Sequence, residues 1–278
     1  MDLSLFHQKD IFPRFVTDKL ASVAVDYKEK CNSNKESRQT GLFHRQAGVV
    51  LLLNYKSDMD KPQYVFQLIK RSDKVSQAGD IGCPGGMLHP RLDNILSRFL
   101  KLGIIPFMRG KNPGFTQSKD KQTDFLIHLF LTTALREAWE EVGLNPFNVI
   151  PLGALPSYSL TLFARTIFPF ACITSKHFKY KLSPEVEKVL EIPLSFFFDS
   201  ANYATLNIKT SQKNYSEFMQ YKCVVIPDGQ GGEDILWGAT FKIIDNFLHI
   251  ISDDRMPGWN PSRTINKVLS SNYMSRKN

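Results

Sequence analysis

Apolar residues run almost unbroken through "QAGVVLLLNY" (46–55), which predicts a buried strand. The polar "SDMDKPQ" reads as a turn, and "YVFQLIKR" (64–71) as a second strand, so the two predict a hairpin. "SQAGDIGCPGG" (76–86) is too rich in glycine for regular structure and predicts a loop or irregular strand. Residues 87–122 hold "LDNILSRFLKLG", a short helix, and then the breaker-rich "RGKNPGFTQSKDKQ"; an irregular stretch of this length reads as an insertion. "TDFLIHLFLTTALREAWEEVG" (123–143) has helical periodicity, with Gly143 placed as its C-terminal cap. Further on, "VIPLGAL", "TIFPFACIT" and "YKCVVIP" read as strands, "SPEVEKVLEI" (183–192) as a short helix leading into a strand, and "WGATFKIIDNFLHII" (237–251) as a helix. "GQGGED" (229–234) is a turn. Ahead of all this, "LFHQKDIFPRFVTDKLASV" has helical spacing interrupted by Pro13, and "CNSNKESRQTG" reads as a polar connector. The pattern divides the chain into a peripheral N-terminal helical extension and connector (1–45), one mixed α/β domain (46–251, with 87–122 inserted) and a C-terminal tail (252–278), without internal repeats.

Composition adds little to this division. The chain has 278 residues, of which 42% are hydrophobic and 12% aromatic, enough for a substantial core. The net charge of +8 favours anionic partners, but lysines and arginines are spread along the chain with no basic arm, so nucleic acid is not expected. Cys31, Cys83, Cys172 and Cys223 lie far apart without metal-ligand spacing, which predicts a reducing compartment such as the cytoplasm. The N-terminus lacks the pattern of a secretory signal, the C-terminal "SRKN" is not a peroxisomal address, and no run of apolar residues is long enough for a membrane span.

The chemistry concentrates in "TALREAWEEVGL" (133–144), where Glu137, Glu140 and Glu141 fall within five positions. At about 100° per residue they share an arc roughly 100° wide, opposite the apolar stripe of Leu131, Leu135, Ala138 and Val142. Like charges at these spacings repel, and the helix C-terminus disfavours anions. A divalent cation would reverse the sign, and carboxylates suit hard Mg²⁺ or Mn²⁺. The bland alternative is a solvated acidic face with Arg136 paired to Glu140.

"REAWEEVGL" resembles the C-terminal half of the Nudix box, an arginine, glutamates and glycine at fixed spacing, through Arg136, Glu137, Ala138, Glu140, Glu141, Gly143 and Leu144. Gly86 in "CPGGML" is similar to the box's opening glycine, but it lies 50 residues before Arg136 instead of about fourteen. The box thus looks split by an insertion of about 36 residues. "LIKRSDKVSQAGDIGCPGG", "LGALPSYSLTLFARTIFPFACI", "PEVEKVLEIPLSFFFD" and "LWGATFKIIDNFL" are similar, in order, to segments of the coenzyme A pyrophosphatase branch of Nudix hydrolases. Three positions depart from the pattern. Gln77 stands where that branch has histidine and Cys83 where it has phenylalanine. Leu92 occupies the box's first acidic position, with Asp93 next to it and Asp124 across the insertion.

The resemblance implies an α+β fold, a Nudix-type α/β/α sandwich with a mixed sheet, carrying an N-terminal extension and a long insertion. It implies hydrolysis of a pyrophosphate linkage with Mg²⁺ or Mn²⁺ held by Glu137, Glu140, Glu141 and the Gly86 carbonyl. Glu137 or Glu141 would also orient or deprotonate water, and Arg136 would orient the carboxylates. Glu185 matches an acidic position that joins the metal site or acts as base; its other reading is a first-turn acid after Pro184. Lys70, Arg71 and Gly85 are candidate substrate contacts, the first two doubling as ordinary strand-end charges. His89 reads as a loop residue, and Trp139 and Trp237 as packing residues. The implied partner is a coenzyme A-like nucleotide, cleaved to 3′,5′-ADP and an (acyl-)phosphopantetheine. ADP-ribose, a dinucleotide or a capped nucleic acid is the alternative substrate, and a non-catalytic nucleotide-binding module the alternative class. The sequence leaves a homodimer open.

Overall fold

The computed structural model describes residues 2–39, 44–101, 120–160, 164–174, 179–210, 219–259, 261–269 and 273. Its helices are α1 (Phe12–Ala21), α2 (Tyr27–Gln39), α3 (Pro90–Lys101), α4 (Lys121–Val142) and α5 (Gly238–Ser252). Its strands are β1 (Arg45–Lys56), β2 (Gln63–Arg71), β3 (Ile81–Gly82), β4 (Gly85–Met87), β5 (Val149–Ala154), β6 (Tyr158–Leu160), β7 (Arg165–Thr174), β8 (Val186–Pro193), β9 (Tyr203–Thr210), β10 (Met219–Pro227), β11 (Glu233–Trp237) and β12 (Thr264–Leu269).

The apolar run at 47–53 has no polar alternation because both faces of β1 are covered. Val49, Leu51 and Leu53 face a core shared with α1 and α5. Val50 and Leu52 face a second core shared with α2 and α4. Strand geometry sends successive side chains to opposite faces, so one strand serves two helical layers. The result is the α/β/α sandwich and mixed sheet expected from the sequence. β1 pairs with β2 as the antiparallel hairpin, Leu52 opposite Gln67, and runs parallel to β7 along its other edge. Beyond that register β1 and β2 separate. Residues 81–87 fill the gap, Ile81 and Gly82 pairing with β2 and Gly85, Gly86 and Met87 with β1. The glycine-rich segment is thereby held between two strands directly under α4.

Asp120 caps α4 by accepting from the amides of Gln122 and Thr123, and Gly143 ends the helix at φ 74°. The segment at 183–192 is not helical at its start: Glu185 lies in a turn and Val186–Pro193 is strand β8, paired along β2. Edge pairing to β2 and the β-branched residues Val186, Val189 and Ile192 prevail over the local helical spacing. A second sheet, ordered β11-β10-β9-β12, includes three strands the pattern did not predict.

The N-terminal region differs from its sequence reading in two ways. Pro13 does not interrupt a helix but sits in the first turn of α1, where its missing N–H costs nothing. The polar "CNSNKESRQ" is not a connector but part of α2. Nor is the region peripheral, since Phe6, Phe12, Val16, Leu20 and Tyr27 are buried in the two cores. At about 1.5–3 kcal/mol for each buried side chain, these five contribute on the order of a whole domain's net stability. The tail likewise supplies β12, which runs parallel to β9.

Candidate functional site

A cavity of about 920 Å³ opens between the α4 end of the first sheet and the face of the second. Its acidic wall is α4 and the turn before β8. Glu137, Glu140, Glu141 and Glu185 all line it, as do Gly85 and Gly86.

Arg136 organises this wall. Its Nε donates to Asp93 Oδ1 at 2.7 Å, and its Nη2 donates to Asp93 Oδ2 at 3.2 Å and to the Met87 carbonyl at 3.0 Å. Its Nη1 pairs with Glu137 Oε1 at 2.9 Å and Glu140 Oε1 at 3.2 Å. Burial disfavours the guanidinium charge, but Asp93 and the two glutamates outweigh it and raise the Arg136 pKa. Asp93 is wholly inaccessible to solvent and also accepts from Thr133 Oγ1 at 2.9 Å and from the His89 amide at 2.8 Å. It lies one position after Leu92, where the resemblance placed an acidic residue, and the first turn of α3 brings it inward against Arg136. Asp124 does not take this place; it pairs with Lys101 at 2.9 Å.

Glu141 is 8% exposed, and its Oε2 accepts the Gly85 N–H at 2.9 Å. Gly85 can present that N–H because it adopts φ 141°, a conformation closed to residues with a side chain. So Gly85, expected to touch substrate, lines the cavity and also positions a carboxylate. Burial pushes the Glu141 pKa up to about 7, against the opposing pull of the Gly85 N–H and Arg71, with Glu137 and Glu185 adding to the rise. Burial also raises the Glu137 pKa, with Arg136 pulling it back. Gly86 abuts Glu137: a Cβ at this position would lie 2.5 Å from Glu137 Oε2. Glu140 is the exposed member of the three, on the cavity rim.

The remaining expected residues divide. Arg71 lines the cavity, its Nε donating to the Ser76 carbonyl at 3.0 Å. Lys70 points elsewhere and bridges Glu187 and Asp234, each at 3.0 Å. His89 serves the N-terminus of α3, its Nδ1 accepting from the Leu92 amide at 3.3 Å. Trp139 is not a packing residue, being 60% exposed. Trp237 lines the cavity and donates through Nε1 to Asp80 Oδ1 at 3.3 Å. Asp80 also accepts from Lys267 Nζ at 3.1 Å and from the Tyr273 hydroxyl, which ties the C-terminal segment to the cavity wall.

Sequence reasoning missed the wall opposite the carboxylates. Tyr158, Tyr221 and Met219 form an apolar side with Trp237, and Arg165 stands at its edge. The one available signal was Arg165 itself, a lone charge leading the apolar run "TIFPFACI". All four cysteines are buried free thiols. No helix among the described residues is long and apolar enough to cross a membrane.

No protein-family model matches the chain. It is similar to an uncharacterized Nudix hydrolase, NudL, of Pectobacterium atrosepticum, 28% identical over 123 residues, which are 44% of this chain and 59% of that protein. This likeness supports the Nudix family, although the chain matches less than two thirds of its relative's length. Among solved structures, a MutT/nudix family protein from Enterococcus faecalis is 14% identical, with 82% of this chain and 73% of that one covered at a TM-score of 0.41. A MutT protein from Methanosarcina mazei Go1 is 16% identical, with coverage of 76% and 96% at a TM-score of 0.39. Superpositions this loose carry no further conclusion.

Proposed function

We propose that this chain is a divalent-metal-dependent pyrophosphohydrolase of the Nudix type, acting on a nucleoside diphosphate derivative. Coenzyme A or an acyl-coenzyme A is the favoured substrate, giving 3′,5′-ADP and (acyl-)phosphopantetheine. The observation that carries the reading is the pair Glu137 and Glu141. Two carboxylates are held half-buried or deeper, side by side in a cavity, against their own electrostatic preference.

Among the described residues no three His, Cys, Asp or Glu side chains are drawn into a ready-made metal cage. Arg136 holds Glu137 and Glu140 toward itself, and Glu141 leans on Gly85. The donor chemistry still fits a hard cation. All the candidate ligands are oxygens, and the missing Cβ of Gly86 leaves backbone and Glu137 carboxylate in direct contact. Glu137, Glu140, Glu141 and the Gly86 carbonyl would hold Mg²⁺ or Mn²⁺, which would supply charge neutralisation on the phosphates.

The chain's own groups provide the rest. Arg136, locked by Asp93, fixes where the Glu137 carboxylate points, so little reorganisation is needed when substrate enters. Arg71, which lines the cavity and acts on Glu141, offers a cation for a phosphate oxygen. Glu141, Glu137 or Glu185 orients water toward one phosphorus and accepts its proton; all three line the cavity, so no single base is assigned. The water oxygen bonds to that phosphorus, the bridging oxygen departs with the other phosphate, and the proton leaves to solvent. The apolar side of Tyr158, Tyr221 and Met219 suits a nucleobase or acyl group.

A panel of coenzyme A, acetyl-coenzyme A, ADP-ribose and dinucleoside polyphosphates, incubated with Mg²⁺ or Mn²⁺ and read by mass spectrometry, tests this. Release of 3′,5′-ADP from the coenzyme A members supports the full proposal. Cleavage of ADP-ribose alone would reject coenzyme A and keep the chemistry. Binding without any cleavage would reject the enzyme.

A further inference from the structure

Carboxylates make up most of the cavity's charged lining; the rest is cationic. Arg71 and Arg165 both line it, and Arg45 lies directly across from Arg165 in the β1–β7 pairing. Among the described residues none of these three guanidinium groups forms a salt bridge with a carboxylate. Arg165 Nε is buried and has no hydrogen-bond partner among the described residues. Burial lowers the Arg165 pKa, and Arg71 and Arg45 push it the same way; no carboxylate relieves it. A half-buried arginine crowded by like charge is as unfavourable to the free protein as the glutamate cluster is, and for the mirrored reason. An anion in the cavity relieves it, and a guanidinium fork offers paired donors matched to phosphate oxygens.

Arg71 stands close enough to Glu141 to pull its pKa down, which puts it at the pyrophosphate end. Arg165 lies at the start of β7, paired with Leu160 on the strand that also carries Tyr158, and no carboxylate is among the groups that act on it. We infer that Arg165 forms a second anion subsite, which binds a phosphate monoester carried by the substrate outside its pyrophosphate. The substrate class is then a nucleoside diphosphate derivative bearing a further phosphate, in preference to one with the pyrophosphate alone. This rests on the reading of the cavity as a nucleotide pyrophosphate site. It adds what that reading lacked, a residue that selects among such nucleotides.

Adenosine 3′,5′-bisphosphate and adenosine 5′-monophosphate separate the two claims, because neither contains a bond to be cleaved. Their affinities are measured by calorimetry at saturating Mg²⁺ for the wild type, Arg165→Gln and Arg165→Lys. Removing one charge-assisted contact corresponds to about tenfold in affinity or more. The wild type is expected to prefer the bisphosphate by that factor. Arg165→Gln should bring the ratio to near one, and Arg165→Lys should keep part of it. Equal wild-type affinities would overturn the inference and leave the pyrophosphatase reading standing. So would an Arg165→Gln variant that weakens both nucleotides alike, since Arg165 would then serve the common 5′-phosphate. If neither nucleotide binds and no member of the diphosphate panel is cleaved, both readings fall together. Since Arg165→Gln removes a repelled charge, near-UV circular dichroism should report an intact fold.

Discussion

Replacing Glu141 by glutamine should make the metal-free protein more stable at pH 8 and leave it nearly unchanged at pH 5. Burial raises the folded-state pKa of Glu141 from the ordinary 4.5 to about 7. Between those values the folded chain holds a proton that the unfolded chain has released. Stability from this group is therefore complete below about pH 4.5 and is lost as pH rises toward 7. At about 1.4 kcal/mol per pKa unit, the loss approaches about 3.5 kcal/mol. Glutamine carries no charge at any pH, so its slope across the window vanishes. Its side-chain oxygen can still accept the Gly85 N–H, and the extra strength that charge gives this bond is already contained in the pKa of about 7. The net expectation is a gain of about 3.5 kcal/mol at pH 8. Urea unfolding in EDTA at pH 5, 6, 7 and 8 measures it, as the difference between variant and wild type. A difference that stays constant from pH 5 to pH 8 would refute the reasoning, since it would mean Glu141 is not strained when charged. Adding Mg²⁺ at pH 8 should close the gap by stabilising the wild type more than the variant.

Two further substitutions test the parts around it. Asp93→Ala leaves the Arg136 guanidinium without its buried partner and should cost about 3–5 kcal/mol in urea unfolding, far more than Asp124→Ala, whose partner Lys101 is solvent-exposed. Gly86→Ala puts a methyl group 2.5 Å from Glu137 Oε2, so turnover of the cleaved substrate should fall more than tenfold with the fold kept; unchanged turnover would remove Glu137 from the site.

Where the sequence was legible, one local signal sufficed. The hairpin of β1 and β2, the length of α4, its Gly143 cap and the three strands at 149–154, 165–174 and 219–227 all carry their own periodicity or breaker. Where it was not, a tertiary partner decided. Val186–Pro193 has a helical spacing that pairing to β2 overrides. The polar face of α2 hid a helix whose anchors, Tyr27 and Cys31, are only two side chains. At the site, the glutamates were legible because repulsive charge is costly and asks for a reason. Arg165 was not, because a single arginine before a strand looks ordinary until the fold sets Arg45 and Arg71 beside it. Lys70 shows the converse: residue type suggested ligand contact, and the fold engages it with Glu187 and Asp234.

The separation of Gly86 from Arg136 looks like damage to a motif, yet its energetic cost is small. Lengthening the connection from about fourteen residues to 50 adds about 1 kcal/mol of closure entropy, because that cost grows only with the logarithm of length. The inserted chain repays it at its first helix. Burying Leu100 of α3 against α4 alone offsets that amount. The same helix delivers Asp93 to Arg136, and through Arg136 it fixes Glu137 and Glu140. A purely passive excursion would leave the Nε side of Arg136 without its buried carboxylate partner. The start of the segment between Gly86 and Arg136 is therefore part of the acidic wall.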